Sequence, residues 1–242
     1  MKKISQKESD KLWDYYQNEG VDSFESGYSR LKFLARKCKK GGRVLNIGIG
    51  SGYFESLLIK QGVNVYSIDP SKKTVQKLSR KLGMHRKVKI GHCHNIPFPD
   101  NYFDYVVMTE VLEHIPDEFL QKSIGEVRRV LNKKGIFFGT VPYKESLSDN
   151  EVICPNCYLH FHRWGHNQSF DLSSLRNLLQ GNGFYFEKLQ VRAFCDFSRL
   201  GLLPLIRSIS RYTLGRMREK IVNPNIFFYC RTNSRQSNLA SK

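Results

Sequence analysis

Val44-Leu45-Asn46-Ile47-Gly48-Ile49-Gly50-Ser51-Gly52-Tyr53-Phe54 is an apolar run that breaks into alternating glycines and then resumes. It reads as a buried strand over Arg43–Ile49, a glycine-rich turn, and a helix running to about Lys60. Glycines let a backbone approach a ligand closely, and the helix that follows offers unpaired N–H groups at its N-terminus. No Gly-Lys-Ser/Thr follows, so the turn is not a phosphate-binding P-loop. Its spacing is GxGxG, where a dinucleotide fingerprint has GxGxxG. Taken alone, the turn fits several nucleotide-binding folds.

The next strand, Asn64–Asp69, ends in Asp69, seventeen positions beyond Gly52. A carboxylate at that edge can accept hydrogen bonds from both hydroxyls of a ribose. Asp69-Pro70-Ser71 also precedes a Lys-rich helix over Ser71–Leu82, so an N-cap role competes with the ribose role. Further strands are expected at Lys87–Gly91, Tyr102–Thr109 and Gly135–Val141, with a helix over Pro116–Asn132 before the last of these. Such alternation predicts an α/β domain, a parallel sheet covered by helices on both faces. Upstream, residues 1–40 form an N-terminal helical segment. Downstream, a helix at Asp171–Leu179 and strands at Phe184–Val191 and Asn225–Arg231 complete a domain spanning 41–232. The polar tail 233–242 is expected to be disordered.

The bulk properties narrow the class. The 242 residues are 40% hydrophobic and 25% charged, ordinary for a globular domain. No apolar run reaches the roughly 18 residues of a membrane span, and the N-terminus lacks a signal-peptide core, so a cytoplasmic location is expected. Thirty-nine lysines and arginines face 22 acids, a net charge of +17. That surplus favours polyanionic neighbours such as nucleic acid or phospholipid headgroups, although it also serves solubility. Six scattered cysteines argue against a disulfide framework.

The stretch from Arg43 to Val141 resembles class I S-adenosylmethionine-dependent methyltransferases of the ubiquinone- and menaquinone-biosynthesis type. VLNIGIGSGYF resembles their first motif, and IDPS their ribose-binding acidic motif. HCHNIPFPDNYFDYVVMTEVLEHI resembles the adenine loop and fourth strand, and VRRVLNKKGIFFGTVP the following helix and fifth strand. The resemblance implies a Rossmann-like, doubly wound sheet of seven strands, mostly parallel with an antiparallel last strand. By position it implies that Asn46, Gly48 and Gly50 meet the amino-acid part of the cofactor and Asp69 the ribose. His92 and Cys93 would lie along the adenine, and Glu110 would face the methyl-donor end. Asn46 and His92 each stand where the family has an acid.

Methyl transfer from a sulfonium needs alignment above all, and a base only for an acceptor proton of high pKa. Glu110, Glu113 and His114 are the catalytic candidates. The competing view is that Glu113 and His114 brace the loop and cap the next helix. ExxEH also resembles the divalent-cation motif of ubiquinone-pathway O-methyltransferases and small-RNA 2′-O-methyltransferases, in which His166 would assist. The Cys/His-rich loop 143–169 carries Cys154, Cys157, His162 and His166, residue types and spacings that suit tetrahedral zinc. The competing view makes the loop a substrate lid packed by Phe161 and Trp164. The basic amphipathic insertion 198–220 suits either an anionic membrane surface or a pocket cover. The sequence therefore favours O-methylation of a small molecule, lipid-linked intermediate or saccharide. RNA methylation and an inactive, zinc-stabilised cofactor-binding module are the alternatives.

Overall fold

Four consecutive buried residues in β1 (Arg43–Ile47) can only be a strand covered on both faces. Around it the chain builds a seven-stranded sheet. The spatial order is β3 (Val88–Ile90), β2 (Asn64–Asp69), β1, β4 (Phe103–Thr109), β5 (Leu131–Pro142), β9 (Asn225–Thr232) and β8 (Phe184–Arg192). The first five are mutually parallel, while β9 runs antiparallel to both β5 and β8. This is the expected Rossmann-like sheet. The structure is a computed structural model and describes residues 2–19, 27–194, 210 and 224–232. Apart from Ser210, the insertion 198–220 and the tail 233–242 lie outside the described residues. No helix among those described is long and apolar enough to cross a membrane.

Side-chain alternation along the strands divides the core into two layers. Tyr105 and Val107 of β4 pack with α2 (Tyr28–Ala35), α3 (Tyr53–Lys60) and α4 (Lys72–Leu82), burying Leu34, Phe54, Leu58, Val75 and Leu78. Val106 and Met108 face the other way, against α5 (Asp117–Val130) and α6 (Leu172–Gly181). Fully buried Phe137 and Phe138 anchor opposite layers, each worth roughly 1.5–3 kcal/mol of transfer free energy. β5 begins at Leu131, four residues before Gly135, because Leu131 already pairs with Phe103 across a bulge. α1 (Gln6–Asn18) is opened by a Ser5/Glu8 capping box and hydrogen-bonds to the loop that starts α4.

The expected Cys/His loop has secondary structure of its own. Residues Glu151–Ile153 (β6) and His160–His162 (β7) pair as a short antiparallel hairpin. Cys154-Pro155-Asn156-Cys157 forms its tip, closed by hydrogen bonds from Tyr158 N to Cys154 O and from Cys154 N to Leu159 O.

Candidate active site

The glycine turn ends β1 in a conformation that only glycine accepts comfortably. Gly48 has φ +86°, and a Cβ there would sit 2.8 Å from Val111; Gly52, φ +75°, would place one 2.5 Å from Leu78. Backbone and helix are thus drawn together, leaving a cavity of about 410 Å³ over the carboxyl ends of β1, β2 and β4. That size suits a small ligand. Asn46, Gly48, Gly50, Asp69, His92, Cys93, Glu110, Glu113 and His114, drawn from strand ends and the segments that follow them, all line it.

Asn46 is buried, and its amide donates to Gly48 O (3.0 Å) and Glu55 Oε1 (2.8 Å). Its Oδ1 is left buried without a partner. Glu55 was not a sequence candidate. It is fully buried, held by Asn46 and by the Ser67 hydroxyl, and burial pushes it up to about 6 against those bonds. Asp69 accepts from Ile49 N and Gln17 Nε2 on one oxygen and from Ser71 N on the other. Burial raises its pKa, opposed by the two backbone N–H groups. The helix cap comes from the Ser71 hydroxyl, which accepts from Thr74 N, and Asp69 lines the cavity.

His92 Nε2 bonds Asp10 of α1 at 2.9 Å, and that bond raises its pKa. The imidazole serves its neighbour as a donor. Cys93 Sγ lies 3.2 Å from the Ser123 hydroxyl, and burial raises the thiol.

The carboxylates after β4 have different environments. Glu110 adopts φ +54°, and its oxygens accept from Thr140 and Asn225, with Arg30 at 3.5 Å. It ties together β5, β9 and α2. Glu113 lies in a 3₁₀ turn (Leu112–His114) and is 1% exposed, and neither carboxylate oxygen has a partner. Burial first, and Glu110 second, lift its pKa well above the ordinary value. His114 accepts from Trp13 Nε1 at 3.3 Å, and burial drives its pKa well down.

Two groups of side chains lie close enough to share a cation: Glu113, His114 and His166, and Glu145, His162 and His166. Cys154 and Cys157 belong to neither, so the expected set of Cys154, Cys157, His162 and His166 is not assembled. The cause is the hairpin: its tip carries the cysteines outward, with Cys157 exposed, while His162 at its base is buried. His162 Nδ1 accepts from the backbone N–H groups of Trp164 and His166. A neutral His162 therefore carries its proton on Nε2, towards Glu145 Oε1, and is a poor ligand. His166 bonds Glu145 through Nδ1 at 2.5 Å, which leaves its Nε2 lone pair free. Burial would raise Glu145, but the neighbouring His162 and His166 prevail and hold it at about 2.

Open α/β sheets bind ligands outside the carboxyl ends of their strands, where the strand order reverses. β1 and β4 flank that point here, and the cavity spans it, which makes the chain a nucleoside-cofactor-binding protein of the doubly wound class. Residues 23–189 match a family model described as a methyltransferase domain, and the chain belongs to that family as a class I S-adenosylmethionine-dependent methyltransferase. An uncharacterized methyltransferase of Geobacillus sp. is 30% identical over 162 residues, 64% of this chain and 76% of its own. Among solved structures, a chain from the Haloferax volcanii complex of the Trm112 methyltransferase activator with a methyltransferase superposes with a TM-score of 0.68. It is 17% identical, over 91% of this chain and 97% of that one. The 1,6-didemethyltoxoflavin-N1-methyltransferase of Burkholderia thailandensis, solved with its acceptor and S-adenosylhomocysteine, gives 0.64. It is 13% identical, over 97% and 93%. These two structures share the fold.

Proposed function

We propose that the protein methylates a hydroxyl oxygen of a small molecule, lipid-linked intermediate or saccharide, with Glu113 receiving the acceptor proton. The supporting observation is the buried Glu113 carboxylate, unpartnered on both oxygens, in the wall of the cavity that Gly48 and Asp69 also line. The bound cofactor supplies an already activated methyl group, so the chain's work is alignment and proton removal. A carboxyl group with a raised pKa is a better match to a hydroxyl proton than an ordinary carboxylate. Neutral His114, fixed beside Trp13, and His166 are placed to orient the hydroxyl. Glu110 is fully engaged and serves as a brace.

One observation favours a second reading at the same place. Glu113, His114 and the free Nε2 of His166 converge, with Glu145 buttressing His166. Such a set suits a divalent cation that acidifies a hydroxyl, as an RNA 2′-O-methyltransferase would need. The test is methyl transfer from labelled S-adenosylmethionine into cell-extract fractions, treated with nuclease or lipase, by wild type and Glu113→Gln. Both readings expect the variant to retain cofactor binding and lose at least 100-fold in rate. Activity that survives a chelator selects the base; activity restored by added Mg²⁺, Mn²⁺ or Zn²⁺ selects the cation. An unimpaired Glu113→Gln enzyme defeats both.

A further inference from the structure

The charge surplus is not spread evenly. Between residues 27 and 91 there are sixteen lysines and arginines and only two acids, Glu55 and Asp69. Both acids are buried, 0% and 1% exposed. This segment supplies +14 of the net +17 and presents no carboxylate to solvent. It folds into the single helical layer α2–α3–α4 and the open edge of the sheet at β3. On α4 the apolar side (Val75, Leu78) packs inward, while Lys72, Lys73, Lys77, Arg80 and Lys81 are exposed. Lys73, Lys77, Arg80 and Lys81 line a shallow groove with Gln76. Lys73 meets Asp14 of α1 and Glu19 just past its end; Lys77, Arg80 and Lys81 form no ion pair among the described residues. Arg36, Lys39 and Lys40 continue the array past α2, and Arg86 and Lys89 carry it around the β3 edge. The opposite layer is mixed, with Asp117, Glu118 and Glu126 beside Lys122 and Arg129 on α5.

We infer that the α2–α3–α4 face is a docking surface for the phosphodiester backbone of a nucleic acid. A surface so rich in cations repels itself, and a polyanion relieves that repulsion while releasing its own counterions. Cations at i and i+4 on α4 recur about every 6 Å along a helix about 16 Å long, a linear array suited to a linear polyanion. A bilayer fits less well. Interfacial helices bury an apolar face in the lipid, whereas the apolar face of α4 is spent on the sheet. The only large hydrophobic side chains exposed on the described part of this layer and edge are Ile59 and Ile90. The cations also turn the corner from the helical layer to the β3 edge, and a plane can meet only one of these at a time. The inference holds whichever acceptor Glu113 serves.

The test is fluorescence anisotropy with labelled single-stranded 20-mers of mixed sequence, made as RNA and as DNA, at 50 and 200 mM NaCl. Wild type is compared with Lys77→Glu/Arg80→Glu/Lys81→Glu and with an equal charge change elsewhere, Lys122→Glu/Lys133→Glu/Lys134→Glu. Calorimetry with S-adenosylhomocysteine checks that each variant is folded. The α4 triple variant should bind at least 10-fold more weakly at 50 mM, with its salt slope shallower by about 2, and the other variant within 3-fold of wild type. Equal losses in both variants would mean that binding reads total charge, and would overturn the inference. So would no binding to either 20-mer, including the case where phosphatidylserine vesicles bind instead.

Discussion

Replacing Glu55 by Gln isolates the stability effect of a carboxyl group that is fully buried behind the glycine turn. Its pKa stands at about 6 against an unfolded value near 4.5, a gap of about 1.5 units or roughly 2 kcal/mol. The folded protein holds this proton more tightly than the unfolded chain does. The contribution is therefore fully present below pH 4.5 and is lost as the pH rises through 6. Glutamine keeps an Oε1 to accept from Asn46 and Ser67 but carries no titrating proton. Urea unfolding of both proteins, followed by tryptophan fluorescence at pH 4, 5, 6, 7 and 8, measures the difference directly. The variant should gain about 2 kcal/mol relative to wild type between pH 4 and pH 7, whatever constant offset the amide introduces. Parallel stability curves would refute the assignment, because they would mean that Glu55 ionises in the folded protein as freely as in the unfolded chain.

Three other outcomes follow from the same geometry. Asp69→Asn removes the charge from the hydrogen bonds offered to a ribose, worth about 1.5–3 kcal/mol; S-adenosylhomocysteine should bind roughly 10- to 100-fold more weakly by calorimetry, and a change under 2-fold would remove Asp69 from the cofactor site. Gly52→Ala puts a methyl 2.5 Å from Leu78 at φ +75° and should lower unfolding free energy by about 2–4 kcal/mol; a loss below 0.5 would show that the turn relaxes freely. Cys154→Ser/Cys157→Ser should leave both bound-metal content and thermal midpoint unchanged, since the hairpin tip lies apart from His162 and His166, and a loss of one zinc equivalent would reinstate the thiolates as ligands.

The sequence was legible where structure is local. The strand–turn–helix at Val44–Phe54 and the acid ending β2 follow from spacing and glycine placement, whereas the antiparallel closing strand came only with the family resemblance. The Cys/His loop misled because two cysteines three apart signal metal more loudly than Pro155-Asn156 between them signals a turn. Strands of three residues, Glu151–Ile153 and His160–His162, are too short to show a period. The α1 contacts left no trace at all. Asp10 meets His92, Trp13 meets His114 and Gln17 meets Asp69 across 82, 101 and 52 positions of chain, and nothing in the composition of a mixed-polarity helix encodes such pairings.

Those contacts bear on the two departures from the methyltransferase pattern, the motif positions where Asn46 and His92 replace acids. In the fold, each missing carboxylate is supplied from elsewhere. Glu55 stands behind Asn46 and takes its amide; Asp10 arrives on α1 and bonds His92. The second replacement has a consequence that the first lacks. Glu55 belongs to the turn and is present whenever the domain is folded, whereas Asp10 is present only while α1 lies across the cavity. The same helix brings Gln17 to an Asp69 oxygen that a ribose hydroxyl would also use. A ribose bound at Asp69 would compete with Gln17 for that oxygen, and the position of α1 would then be thermodynamically linked to occupancy of the cofactor site.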